Sequence, residues 1–157
     1  MIANNSDLIV WSSSFLCGIK IIDDQHKGLV ALINDLFKHV TGDPEQEHIY
    51  FSNVVQELVK YVKIHFATEE KIMRAVKFAG YAQHKREHDF FIFTVMEKVS
   101  DYNLKKNINL FTITKFLKEW VLSHIAIIDK QYFEHLRMMA TRKADGTLSI
   151  TRADVAA

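Results

Sequence analysis

Apolar side chains return every three or four residues through most of the chain, the period of one face of an α-helix. The first such stripe starts at about Asp23 and carries His26, Leu29, Ile33, Leu36, Phe37 and Val40. It stops at Thr41-Gly42, and glycine is common just past a helix end. Asp43-Pro44 restarts the pattern, with aspartate suited to the cap and proline to the first helical position. The second stripe carries Phe51, Val54, Leu58, Val62, His65, Glu69, Ile72 and Val76, roughly 45 Å of helix. A third reads Tyr81, His84, His88, Phe91, Val95 and Val99 and ends near Ser100-Asp101. After a polar link, a fourth carries Leu110, Leu117, Val121, His124, Ile128 and Gln131 and runs to about Thr141.

Four amphipathic helices with short links predict an all-α fold, an antiparallel up-down-up-down four-helix bundle. Residues 1–21 have no clear period and predict an ordered N-terminal arm, because Trp11, Phe15, Leu16, Ile19 and Ile21 need burial. Residues 1–141 are expected to form the domain and the polar stretch 142–157 a flexible tail. Composition sharpens this picture. One Pro and five Gly are too few breakers for a sheet-and-turn protein, and 157 residues suit one domain. With 20 basic and 19 acidic residues, the chain lacks the basic footprint of a nucleic-acid binder. No run of about 18 uncharged apolar residues occurs, so no membrane span is expected. Met1 to Asp7 lack a signal-peptide pattern and Cys17 is the only cysteine, so a cytoplasmic location is expected. No exposed apolar stripe stands out that decides an oligomeric state.

Eight His is a high count for this length. His65 and Glu69 are four residues apart, as are His84 and His88, so each pair shares a helix face. His26 lies on the first stripe, and His124 lies on the fourth with Asp129 five residues later. Five His and two carboxylates therefore project from four helices toward the interior. His39, His48 and His135 have no such partners and are expected at the surface. A buried polar group without a partner costs roughly 1–3 kcal/mol, and a metal would satisfy the whole set at once. Seven donors are too many for one tetrahedral zinc, and an imidazole-rich set does not suit calcium or magnesium. Two metals fit, with three His on one, two on the other and both carboxylates bridging. One solvent-derived bridge then leaves the second metal one ligand short, open to a small molecule. Five steps of a regular α-helix leave His124 and Asp129 well off one face, which predicts a π-type turn near Ile127.

The matching pieces are Trp11, Gly18, Ile22-Asp23-Asp24-Gln25-His26-Lys27, His65-Phe66-Ala67-Thr68-Glu69-Glu70, His84-Lys85-Arg86-Glu87-His88 and His124-Ile125-Ala126-Ile127-Ile128-Asp129. In these the chain resembles the bacterial haemerythrin family, over residues 11 to about 135. All seven ligand positions of the family pattern are filled. One departure is Phe78-Ala79, where the family often has Tyr-Pro; it touches only the link between the second and third helices. The resemblance implies a non-haem di-iron centre, with His84, His88 and His124 on one iron. His26 and His65 would hold the other, open iron, and Glu69 and Asp129 would bridge. It further implies reversible binding of dioxygen, for storage, delivery or sensing, rather than catalysis. Trp120, Val121 and Ile125 match the apolar residues with which the family lines its dioxygen pocket. Mostly imidazole ligands agree with binding, since carboxylate-rich sites favour high-valent iron. Two alternatives are a di-iron enzyme acting on peroxide or nitric oxide and an oxygen- or iron-responsive signalling module. The first needs a proton donor near the open iron, and none is evident in the sequence. The second is normally marked by a fused output domain, leaving here only the arm or the tail for an unidentified protein partner.

Overall fold

Each stripe becomes one helical rod. A computed structural model describes residues 6–139, 141–142 and 148–149. In it α1 spans Lys20–Lys38, α2 Pro44–Ala75, α3 Tyr81–Asn103, α4 Leu110–Ser123 and α5 Asp129–Met139. Residues His124–Ile128 join α4 to α5 as a π-helical turn, so these three pieces make the fourth rod of the bundle. α2 packs against both α1 and α3, and α4 packs against α1. Among the described residues no helix is long and apolar enough to cross a membrane. Of the tail, Thr141–Arg142 pair antiparallel with Leu148–Ser149. The rest of the stretch expected to be flexible lies outside the described residues, as do residues 1–5 of the arm.

The second helix starts as its sequence predicts. Pro44 takes the first position, and Asp43 accepts the N–H groups of Glu45 and Gln46. Gly42 adopts a left-handed φ of 83°, and buried Glu47 accepts the N–H groups of Thr41 and Gly42 at 2.8 and 2.7 Å. The first helix starts at Lys20, earlier than the stripe suggests. Asp23 is not its cap. It sits buried in the first turn and accepts the N–H groups of Cys17 and Gly18 at 2.8 and 3.1 Å.

Asp23 thus ties down one end of the arm, and Asn34 ties the other. The Asn34 side chain accepts from Ile9 N–H at 2.8 Å and donates to Ile9 C=O at 2.9 Å. Between these clasps Trp11 and Phe15 are half-buried, as is Ile19 beyond the second, while Leu16 and Ile21 stay exposed. The expected burial of Leu16 fails because a strap laid on a bundle turns only one side inward, and that of Ile21 because it lies in the first turn of α1 with Ile22, not Ile21, facing the core. Burial raises the Cys17 thiol to about 12, so it stays protonated at neutral pH.

The apolar interior forms two clusters. The larger includes Leu29, Ile33, Phe51, Leu58, Phe66, Phe91, Leu117 and Val121. The smaller includes Cys17, Ile22, Ile72, Met73, Tyr132, Phe133 and Leu136. Along the chain His26 falls between Ile22 and Leu29, Glu69 between Phe66 and Ile72, and Asp129 between Ile125 and Tyr132. The bundle therefore carries a buried polar layer between two apolar ones.

Candidate metal centre

All seven predicted donors meet in that layer, and all are buried. α1 supplies His26, α2 supplies His65 and Glu69, and α3 supplies His84 and His88. His124 opens the π-turn and Asp129 follows it. The Asp129 N–H bonds to the His124 carbonyl, a five-residue step that returns both side chains to one face. The turn predicted from the His124–Asp129 spacing is therefore present.

The donors fall into two overlapping groups. His84, His88 and His124 lie with Glu69 and Asp129, and His26 and His65 lie with the same two carboxylates. Glu69 offers Oε1 to His26 and His65, each at 3.5 Å, and Oε2 to His88 at 3.1 Å and His84 at 3.7 Å. Asp129 offers Oδ2 to His26 at 3.3 Å, and Oδ1 to His84 and His124 at 3.1 and 2.9 Å. Each carboxylate thus turns one oxygen toward each group, and every imidazole presents Nε2.

The set fits a pair of metal ions. His26 Nε2, His84 Nε2, Glu69 Oε2 and both Asp129 oxygens are buried without a hydrogen-bond partner among the described residues. They approach one another without the alignment a hydrogen bond needs. Unpaired buried donors and acceptors of this kind cost about 1–3 kcal/mol each, and ions accepting their lone pairs would remove that cost. Without ions, protons do part of the work. Burial disfavours charge on His26 and His84, but the close carboxylates of Asp129 and Glu69 outweigh it and raise both to about 9. Burial dominates at His65 and lowers it to about 4. Burial also opposes ionisation of Glu69 and Asp129, yet the surrounding imidazoles hold both carboxyls below their usual range.

Residues around the donors fix their orientation. His65 Nδ1 lies 2.8 Å from Gln25 Oε1, and Gln25 in turn donates to Thr68 Oγ1 at 3.1 Å. His88 Nδ1 lies 3.0 Å from Glu70 Oε1. Such outer contacts set the tautomer that leaves Nε2 free for a metal. Tyr132 is fully buried and donates to Glu69 Oε1 at 2.9 Å. Sequence reasoning missed these roles for Gln25, Glu70 and Tyr132. Tyr132 was detectable, since it follows Asp129 by three residues and so continues the inward face.

The three residues expected around a small-molecule pocket all belong to or pack against the larger apolar cluster. Trp120 stacks on His124 with ring centres 4.2 Å apart, on the three-histidine side, and also stacks on Phe91. Val121 is buried in the larger cluster. Ile125 reaches a cavity of about 470 Å³ under the arm, shared with Phe15, Leu16 and Phe133. His39, His48 and His135 do not reach the site. They are half-buried rather than at the surface: His39 stacks on Tyr50, His48 faces Tyr102, and His135 Nε2 lies 3.0 Å from the Val76 carbonyl.

Known proteins share this pattern. The hemerythrin HHE cation binding domain matches residues 17–136. A bacteriohemerythrin of Pseudomonas aeruginosa (strain LESB58) is 32% identical over 132 residues, covering 82% of each chain. One from Stenotrophomonas maltophilia is 30% identical over 143 residues, covering 88% of this chain and 91% of its own. The crystal structure of a wild-type hemerythrin superposes with a TM-score of 0.70 at 28% identity, over 82% of this chain and 98% of its own. The chain therefore belongs to the hemerythrin family, and its buried histidine–carboxylate cluster is able to hold a metal.

Proposed function

We propose that this protein binds dioxygen reversibly at a non-haem di-iron centre, for storage, delivery or sensing. The carrying observation is the split of the donors around two shared carboxylates. His84, His88 and His124 would hold one iron, His26 and His65 the other, with Glu69 and Asp129 common to both. The second side has one histidine fewer, which leaves it a coordination position for a small diatomic molecule. Two ferrous ions there would supply the two electrons that dioxygen takes up on binding and returns on leaving. The protein's own part is to hold five neutral imidazoles in place and to keep water out. The apolar clusters above and below the layer exclude water, and Phe66 stacks on His88 at 3.8 Å.

Tyr132 bears on the enzymatic alternative, because its buried hydroxyl donates to Glu69 Oε1, the oxygen that faces His26 and His65, and burial beside Glu69 raises its pKa well above the phenol range. Metal analysis should give two irons per chain. Ferrous protein should gain a visible charge-transfer band under air and lose it under nitrogen. Irreversible bleaching, or steady turnover of peroxide or nitric oxide that His65→Ala abolishes, would replace this reading with the enzymatic one.

A further inference from the structure

The outward face of α3 carries two phenylalanines that nothing among the described residues covers. Phe90 and Phe93 are each 66% exposed, against 1% for Phe91 between them. They belong to a longer exposed row, Arg86, Phe90, Phe93, Glu97, Ser100 and Leu104. Its steps alternate between four and three residues, the spacing of a seam between paired helices. Two large exposed aromatics on adjacent turns, rimmed by charge, mark an interaction surface. The charges identify the occupant. Arg86 lies four residues before Phe90, and Glu97 lies four residues after Phe93. Neither forms an ion pair among the described residues, although Lys85–Asp89 and Lys106–Asp101 on and beside α3 do.

The row is its own complement under a two-fold axis between Phe91 and Ile92. We propose that this face docks a second copy of the chain, α3 against α3 and antiparallel. Phe90 then meets Phe93 of the second copy, twice, and Arg86 meets its Glu97, twice. A parallel pair would set Arg86 on Arg86 and align the helix dipoles, so the charges select the antiparallel form. One helix per chain is a small contact, so the dimer is expected to form and dissociate with concentration. It uses none of the seven metal donors, so it stands apart from the dioxygen reading.

The test is the mass of the iron-loaded full chain by light scattering across a concentration series. Wild type should pass from monomer to dimer as concentration rises. Phe93→Ser should stay monomeric with unchanged circular dichroism and iron content. R86E and E97R should each weaken the dimer at least about tenfold, by setting like charges together. Mixing R86E with E97R should restore association, because both contacts become ion pairs again, one of the original sign and one reversed. The double swap R86E/E97R should dimerise as wild type does. A wild type that stays monomeric, single reversals without effect, or a mixture that fails to associate would each overturn the proposal. So would Phe90- and Phe93-dependent binding of monomeric wild type to phosphatidylglycerol vesicles in place of self-association.

Discussion

Gln25 touches no proposed metal position, yet it decides how His65 is presented. Its Oε1 holds His65 Nδ1, and its amide is held by Thr68. Gln25→Ala should weaken metal binding by about 10- to 100-fold in a chelator competition, the usual loss when an outer partner of a ligand histidine is removed. Tyr132→Phe keeps the ring and removes the hydrogen bond to buried Glu69. Chelated protein carrying it should unfold in urea with about 1.5–3 kcal/mol less stability. Six of the seven donors were legible in the sequence because each sits on an apolar stripe, where a polar residue is conspicuous, and Asp129 through its five-residue spacing from His124. Gln25 and Glu70 were not, because they lie beside the stripe. Their partners are set by which helix packs opposite, and that is a property of the assembled bundle.

The same division holds for whole elements. The π-turn was legible because the five-residue step from His124 to Asp129 conflicts with a regular helix. The start of α1 was placed late because the apolar stripe becomes regular only from about Asp23, whereas the helix opens at Lys20 and Asp23 holds Cys17 and Gly18 ahead of it. The close approach of α1 to α2 was invisible. A Cβ built on Gly28 would lie 1.9 Å from Tyr61 Oη and 2.6 Å from Tyr61 Cζ. Tyr61 is not free to swing away without giving up its hydrogen bond to the Gln25 carbonyl at 3.0 Å. Gly28→Ala should therefore destabilise by about 1–3 kcal/mol despite alanine's better helix propensity. In a double-mutant cycle with Tyr61→Ala most of that loss should vanish, measured by urea unfolding.

At the scale of the molecule, the buried layer links folding to pH with two opposite signs. In chelated protein His26 and His84 titrate near 9, above the 6.5 of an ordinary imidazole. Their contribution to stability is complete below about 6.5 and is lost as pH rises through 9. Glu69 and Asp129 are depressed, so their contribution is lost when acid protonates them. Urea midpoints of chelated protein should therefore fall between pH 6.5 and 9. Metal affinity should move the other way and strengthen over that window, because ions must displace the two imidazolium protons. A pH-indicator titration at neutral pH should record proton release on loading. The bundle itself was legible from four stripes and few breakers. Its two-cluster interior was not, because it emerges only when four interrupted stripes are brought into register.

The two carboxylates that face both ways have a further effect on how molecules fill. Neither group of donors is complete without Glu69 and Asp129, so a first ion would orient two of the second ion's ligands. Sites that share ligands do not load as independent wells. Given one equivalent of ferrous iron, the population should divide into empty chains and doubly loaded chains, with few carrying a single ion. Native mass spectrometry counts these species directly, and a dominant one-iron peak would show that the halves fill separately.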